Sequence, residues 1–174
     1  MANQFVFVER NGIDWTHRNL ENKIMSQMDL VDTDLRGSSM RYINLAETRL
    51  IRSNLHGNDM SWATLVDADC SNANLMEACL FGINGIDAVF DCAIMIDTDW
   101  RESNLHGAKI RYTDCRYADC RGVDFSETDC RGTSFKGARL TGALFAGAIL
   151  DQVDMRGVDT SGVNLSEAEI LNLR

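Results

Sequence analysis

The sequence of 174 residues contains no proline and three histidines, and aromatic residues make up 7% of it. No apolar run approaches the roughly 18 residues of a membrane-spanning helix. The first residues lack the basic stretch and the long apolar stretch of a secretory signal, and no segment has the composition of a linker. We therefore expect a single cytoplasmic domain without a membrane partner.

The sequence also lacks the motifs that carry most catalytic and metal chemistry. It has no glycine-rich phosphate loop, no nucleophile elbow, no HExxH and no paired CxxC. His17, His56 and His106 are widely separated along the chain, and we interpret them as exposed surface residues. We predict that the protein is not an enzyme and uses no cofactor or metal.

Basic residues are missing from the middle of the chain. The net charge is −9 and the sequence pI is about 4.7. No Lys or Arg lies between Arg52 and Arg101, and the acids of that interval are Asp59, Asp67, Asp69, Glu77, Asp87, Asp91, Asp97 and Asp99. A surface that follows nucleic-acid phosphates needs a basic stripe, so direct binding to nucleic acid is not expected.

What the sequence does have is a repeat of five residues. From Trp15 to Ile170, every residue whose number is a multiple of five is apolar, counting Cys, except Gly85 and Thr160. We call this residue the centre of its unit. Two places before it stands a small residue in nearly every unit, one place before it Asp or Asn is commonest, and two places after it lie 12 of the 13 glycines. Such a period fits a repeat architecture and neither an amphipathic helix nor an alternating strand.

The positions within the unit predict a wall and a corner. In an extended chain the small residue and the centre point the same way, so both face inward and the Asp or Asn between them faces outward. Glycine two places after the centre fits a turn with positive φ, and the Asp or Asn is interpreted as stabilising the turn. A chain that turns the same way every five residues winds into a solenoid of parallel coils.

This pattern resembles the pentapeptide repeat family, and units such as Ala73-Asn74-Leu75-Met76-Glu77 and Val123-Asp124-Phe125-Ser126-Glu127 carry the resemblance. The resemblance implies an all-β fold, a right-handed quadrilateral parallel β-helix of seven to eight coils with four pentapeptides per coil. Residues 20 apart should then stack. At about 4.8 Å per coil the rod would be roughly 35 to 40 Å long.

The units divide the chain into segments. We expect residues 1–14 to cap the N-terminal end, residues 15–80 and 92–170 to form coils, and residues 171–174 to form the C-terminal end with at most a short helical turn. The pattern breaks at Ile83, where a small residue is expected, and at Gly85, where a large one is expected. This break predicts an irregular loop or bulge over residues 81–91.

The six cysteines fall into two groups. Cys70, Cys115, Cys120 and Cys130 are centres and are interpreted as core residues. Cys79 and Cys92 point outward and flank the segment 81–91. They could form a disulfide that brackets the loop, or remain free thiols in a reducing cytosol.

Two sets of outward residues are candidates for binding a partner. Stacking at an interval of 20 would align Glu47, Asp67, Asp87, Glu127 and Glu167, with Asp69 in the same acidic band and Asp124 beside it. This band either keeps the protein soluble or binds a basic partner. Tyr42 and Trp62 would form an exposed aromatic pair one coil apart.

The sequence therefore predicts an interaction or scaffold protein, bacterial and cytoplasmic, whose partner is another protein. The alternative is an acidic mimic of DNA that binds DNA gyrase or topoisomerase, as the resemblance to the quinolone-resistance branch of the family implies. This chain departs from that branch because it ends soon after its repeats, so the C-terminal dimer of that branch is not expected.

Overall fold

The β-structure of the protein consists of isolated bridges, each formed by one outward-facing residue per unit. The structure is a computed structural model that describes residues 14–174. In each unit the residue before the centre forms a parallel bridge with the residue 20 positions later, from Asp14 with Asp34 to Ile149 with Glu169. Between Asp14 and Arg174, no strand is longer than this one bridge. A register of 20 residues places four units in each coil, so residues 14–174 make about eight coils. The right-handed quadrilateral β-helix is confirmed.

The four walls are named here by their centres. The first face begins with Trp15, the second with Leu20, the third with Met25 and the fourth with Leu30, and each continues every 20 residues. The two residues after each centre form the corner that leads to the next face. The Leu50 carbonyl, for example, accepts a hydrogen bond from the Ser53 amide at 3.0 Å across its corner. Bonds between coils, such as Leu35 N to Asn54 O at 2.9 Å, join each wall to the next coil.

All corners from His17 to Asn172 have the same backbone conformation. The second residue of each has φ between 49° and 73°, and it is glycine at 11 of them and another residue at 21. The predicted glycine corners are therefore confirmed, but glycine is not required. Left-handed backbone costs a non-glycine residue about 1–2 kcal/mol, and the ladder between coils enforces it at each corner.

The Asp or Asn before the centre stabilises the corner that follows. Its Oδ1 accepts a hydrogen bond from the amide two residues later, at 3.2 Å from Asp34 to Arg36 and at 3.2 Å from Asn74 to Met76. This bond satisfies an amide that the corner removes from the ladder. The interpretation of these residues as turn-stabilising is confirmed.

The core is a column of centres inside the coils. Leu and Met predominate among the centres from Leu20 to Leu80, and aromatic rings enter among the later centres, where Phe125 stacks on Phe145 with ring centroids 4.8 Å apart. The buried Trp100 indole donates to the Thr98 hydroxyl at 2.7 Å. Small inward residues add hydrogen bonds between coils, because hydroxyls such as that of Thr113 donate to the carbonyl 23 residues earlier, here Phe90 at 2.7 Å.

The prediction of a loop over residues 81–91 is wrong, because this segment continues the wall. Asn84 bridges Thr64 and Asn104, and the Gly85 amide donates to the Asn104 carbonyl at 2.8 Å. The reason is an exchange of volume within one unit. Ile83 is 1% exposed, and it shares with Leu105 the space that a large residue at Gly85 would occupy. A Cβ added to Gly85 would lie 2.7 Å from Leu105 Cδ2 and 3.6 Å from Ile83 Cδ1.

The two ends of the rod compare differently with the predicted N-terminal cap and C-terminal turn. The predicted cap over residues 1–14 lies outside the described residues except for Asp14, which begins the ladder. Residues 171–174 form no helical turn and stay in the wall, since the Arg174 amide donates to Val153 O at 3.0 Å. None of the residues from 14 to 174 forms a helix capable of crossing a membrane.

Candidate interaction surfaces

The predicted acidic residues form a column at the corner between the third and fourth faces. We call it the acidic corner, and its members are Glu47, Asp67, Asp87, Glu127 and Glu167. All five are exposed, and their spacing of 20 residues, or a multiple of it, sets them one above another. Asp69 lies beside the column on the fourth face and Asp124 lies on the third face. The predicted alignment is therefore present in the structure.

Among the described residues, the five carboxylates of the acidic corner have no cationic partners, in contrast to face aspartates such as Asp99 and Asp114, which pair with arginine. Within residues 14–174, no Lys, Arg or His nitrogen lies within 4.0 Å of its five carboxylates. Glu47 accepts a neutral hydrogen bond from Gln27 Nε2 at 3.0 Å. Carboxylates without counter-charges at a convex corner give this edge a strong negative potential.

On the faces, by contrast, arginine neutralises aspartate within the same unit. Asp99 and Arg101 form two hydrogen bonds of 2.8 and 2.7 Å, and Asp114 and Arg116 form the same pair at 2.8 and 2.8 Å. Hydrogen bonding from Arg156 lowers the pKa of Asp154 to about 2. Most basic residues of the segment 101–139 therefore form ion pairs with aspartates of the same protein. The acids without such partners give the surface its net negative charge.

Tyr42 and Trp62 lie at the corner between the second and third faces, which we call the aromatic corner. They are 50% and 48% exposed. The Trp62 ring lies over Gly82 in the next coil. It is so close that a Cβ added to Gly82 would be 2.5 Å from Trp62 Cε3. Its edge meets Phe81 with centroids 5.1 Å apart. Trp62 is therefore held flat against the wall with one side open.

An open cleft beside Trp62 was not apparent from the sequence. Its volume is about 430 Å³ and its lining is Arg41, Asp59, Ser61, Trp62, Cys79, Phe81, Asp99 and Arg101. The cleft exists because Ser61 is a small residue in a stack that otherwise holds Arg41, Phe81 and Arg101. Arg101 lies over the Phe81 ring at 5.5 Å, and Arg41 Nε is 3.8 Å from Asp59 Oδ2.

A second exposed aromatic pair also escaped the sequence reasoning. Tyr112 and Tyr117 are 67% and 54% exposed at successive corners, and their rings lie over Gly132 and Gly137. The sequence signal that could have revealed this pair is a glycine 20 residues after each tyrosine, because a corner glycine leaves room for the side chain in the preceding coil. Seven of the 11 described corner glycines lie beneath a side chain 20 residues earlier, and the other four follow another glycine at that interval.

The cysteine predictions have different outcomes. Cys70, Cys115, Cys120 and Cys130 are buried as predicted, and burial raises the pKa of each thiol. The suggested Cys79–Cys92 disulfide is absent. Both thiols are free, because Cys79 lies on the second face and Cys92 at the corner after the fourth, with the core between them. In the part of the chain from Asp14 onward, no three His, Cys, Asp or Glu side chains converge to hold a metal.

Comparison with known proteins identifies this architecture. The family model for pentapeptide repeats matches in eight copies over residues 29–65, 103–142 and 138–170. No curated protein matches the chain. The intervening residues 66–102 keep the same coil geometry although the family model does not match them.

The solved structures that share the fold include HetL and QnrB1. HetL, a pentapeptide repeat protein involved in heterocyst differentiation regulation from the cyanobacterium Nostoc sp. strain PCC 7120, is 24% identical with a TM-score of 0.63, and the match covers 93% of this chain and 86% of HetL. A trypsin-treated form of QnrB1, a plasmid-mediated fluoroquinolone resistance protein, is 16% identical with a TM-score of 0.82, covering 94% and 90%. The chain belongs to the pentapeptide repeat family.

Proposed function

We propose that the protein is a non-enzymatic interaction module that binds another protein through its acidic corner. The observation that carries the proposal is the column of exposed carboxylates without cationic partners in the described part of the chain, beside a fourth face where Asp29 pairs with Arg49 and Asp129 pairs with Arg131. Charges left unpaired at a surface contribute little to folding but strongly favour association with an oppositely charged surface. The partner is therefore a protein with a basic surface.

The rigidity of the rod supports this role. Each coil is bonded to its neighbours along all four faces, so the carboxylates stand at fixed intervals of about 4.8 Å per coil. A surface that is already ordered loses little conformational entropy on binding. The free cysteines suit a reducing compartment, and the cytoplasm is the location that this proposal assumes.

The alternative function is that of an acidic DNA mimic that binds DNA gyrase or topoisomerase. The fold similarity to QnrB1, whose TM-score is 0.82, favours it together with the charge of −9. A gyrase supercoiling assay with and without a fluoroquinolone tests it. Protection of supercoiling by this protein would support the alternative, and an unchanged inhibition curve would exclude it.

Affinity capture with charge variants tests the principal proposal. The test variant combines Asp67→Lys, Asp69→Lys and Asp87→Lys, and we expect it to lose the proteins captured by the wild type. The control combines Glu77→Lys, Asp97→Lys and Glu102→Lys, which changes the net charge equally at other corners. Equal capture by the test variant and the wild type, at the same melting temperature, would exclude the acidic corner as the binding surface.

A further inference from the structure

The aromatic corner and the acidic corner are the two edges of one wall. The third face runs from one to the other in every coil, and over three consecutive coils it comprises residues 42–47, 62–67 and 82–87. Tyr42 and Glu47 therefore bound one coil, and Trp62 and Asp67 bound the next. In the third coil, Asp87 forms the acidic edge and Gly82 leaves room for the Trp62 ring.

The surface between these edges carries no charge. Its outward residues are Asn44, Ala46, Thr64, Val66, Asn84 and Ile86. Val66 and Ile86 are half-buried, so an apolar strip lies directly inside the acidic edge. Across its width, the face changes from aromatic rings to neutral amide and apolar groups and then to carboxylates. The face is therefore amphipathic.

The dimensions of the face match an α-helix. Three extended residues of about 3.3 Å each make a flat strip about 10 Å wide, and a helix with its side chains is about 10–12 Å across. Successive carboxylates along the acidic edge are about 4.8 Å apart, close to the 5.4 Å pitch of a helix. Side chains on one side of an extended strand recur at about 6.6 Å. A partner strand lying along the rod would therefore be out of step with carboxylates about 4.8 Å apart after two side chains.

We propose that the third face over residues 42–47, 62–67 and 82–87 binds an amphipathic α-helix that lies along the rod axis. The proposal rests on the proposed function and specifies the partner's chemistry. Lys or Arg side chains of the helix, spaced one turn apart, pair with Glu47, Asp67 and Asp87. An apolar or aromatic stripe on the neighbouring side of the helix packs on Trp62 and Tyr42.

The contacts of Trp62 prepare it for this role. Gly82 beneath the ring and Phe81 at its edge hold one orientation, so docking an apolar side chain costs little further order. The aromatic edge is also separated from the acidic edge by a neutral strip, so an apolar stripe and a basic stripe can be satisfied at once. Arg41 lies beyond Tyr42, 5.6 Å from its ring, on the side away from the face.

A synthetic helical peptide tests the proposal directly. The probe carries Lys at i, i+4, i+7 and i+11 and a Leu stripe beside them, over about five turns. The matched control has the same composition with Lys distributed around the helix. Labelled peptide is titrated with the intact protein and anisotropy is measured. We expect the patterned peptide to bind at least tenfold more tightly, and equal affinities would overturn the proposal.

Variants of the protein locate the binding. Asp67→Lys with Asp87→Lys should weaken binding of the patterned peptide at least tenfold, and Trp62→Ala should weaken it several-fold. Glu77→Lys with Asp97→Lys, which lies on the diagonally opposite corner, should leave it within twofold of wild type. Melting temperatures verify that each variant is folded. Equal weakening by the two charge-reversed pairs would show that net charge alone attracts the peptide and would overturn the proposal.

The experiments distinguish failure of the helix proposal from failure of the proposed function. If capture of the native partner requires Asp67 and Asp87 but is indifferent to Trp62→Ala, the acidic corner binds without the third face, and the helix proposal is wrong while the function stands. If the protein forms a dimer that Trp62→Ala dissociates, a second copy covers the face and the helix is again excluded. Loss of capture through both Trp62→Ala and Asp67→Lys supports both.

Discussion

Gly82→Ala tests how a corner glycine holds an exposed aromatic residue. The added Cβ would lie 2.5 and 2.6 Å from Trp62 Cε3 and Cζ3, so the indole must leave its place on the wall. Gly57→Ala is a matched control, because Gly57 has φ +66° against +65° at Gly82 and nothing lies within 4 Å of its added Cβ. The two substitutions share the cost of left-handed alanine and differ in the displacement of Trp62.

The magnitude follows from that difference. Alanine in the left-handed region costs about 1–2 kcal/mol, of which about 0.4–1 kcal/mol is recovered from the unfolded chain, and both variants carry this net cost. Forcing an extra carbon into an occupied space adds about 1–3 kcal/mol at Gly82 alone. For a chain of this size, this difference in the free energy of unfolding corresponds to about 2–12 °C in Tm.

Thermal melts followed by circular dichroism measure the difference. We expect Gly82→Ala to melt below Gly57→Ala, and we expect the gap to close when Trp62→Ala is combined with Gly82→Ala. Fluorescence of Trp62 should shift to longer wavelength in Gly82→Ala as the ring enters water. Equal melting of Gly82→Ala and Gly57→Ala would refute the packing of Trp62 on Gly82.

Three further predictions concern the core and the ion pairs. Leu105→Asp should prevent folding, since a carboxylate in a fully buried site costs several kcal/mol, and a native-like circular dichroism melt would contradict the inward assignment. Gly85→Leu should destabilise by about 1–3 kcal/mol through overlap with Leu105 and crowding of Ile83, and Ile83→Ala added to it should recover part of the loss in urea unfolding by opening space beside position 85. The pKa of Asp154 is held at about 2 by Arg156, below the ordinary 3.8, so the stabilisation is complete above about pH 4 and is lost as the pH falls towards 2. The Tm difference between wild type and Arg156→Gln should therefore shrink over that range, and a difference that persists at pH 2 would count against this pair.

The fold follows from the sequence because one local rule recurs in every unit. A large centre such as Leu55 and a small residue such as Ser53 share the interior, and Asn54 between them bonds the corner at the His56 amide. These roles need no knowledge of distant contacts. The register of 20 residues then came from the resemblance to the family, and the bridges confirm it.

The rule fails at residues 81–91 because it treats each position alone. The interior requires a total volume from each unit, and Ile83 with Gly85 supplies it in reversed order. The pairing of Cys79 with Cys92 fails for a related reason, since separation along the sequence does not indicate which faces the residues occupy. Positions must be taken around the coil, where these two lie on opposite sides.

The candidate surfaces were only partly predictable. The acidic column follows from spacing alone, because Glu47, Asp67 and Asp87 share one corner whatever their conformations. The cleft at Ser61 and the support of Trp62 by Gly82 depend on side-chain conformations between neighbouring coils. Likewise, the sequence gives the charge of the segment 101–139 but not its neutralisation by Asp within each unit.

A thiol footprint of the third face is the most direct test of the interaction surface. Thr64→Cys places a thiol in the middle of the face, and the native Cys92 is an exposed control at a corner that does not border the face. The bound partner, or the patterned peptide, should protect the cysteine at position 64 from alkylation and leave Cys92 reactive. Undiminished alkylation at position 64 in the saturated complex would contradict the account.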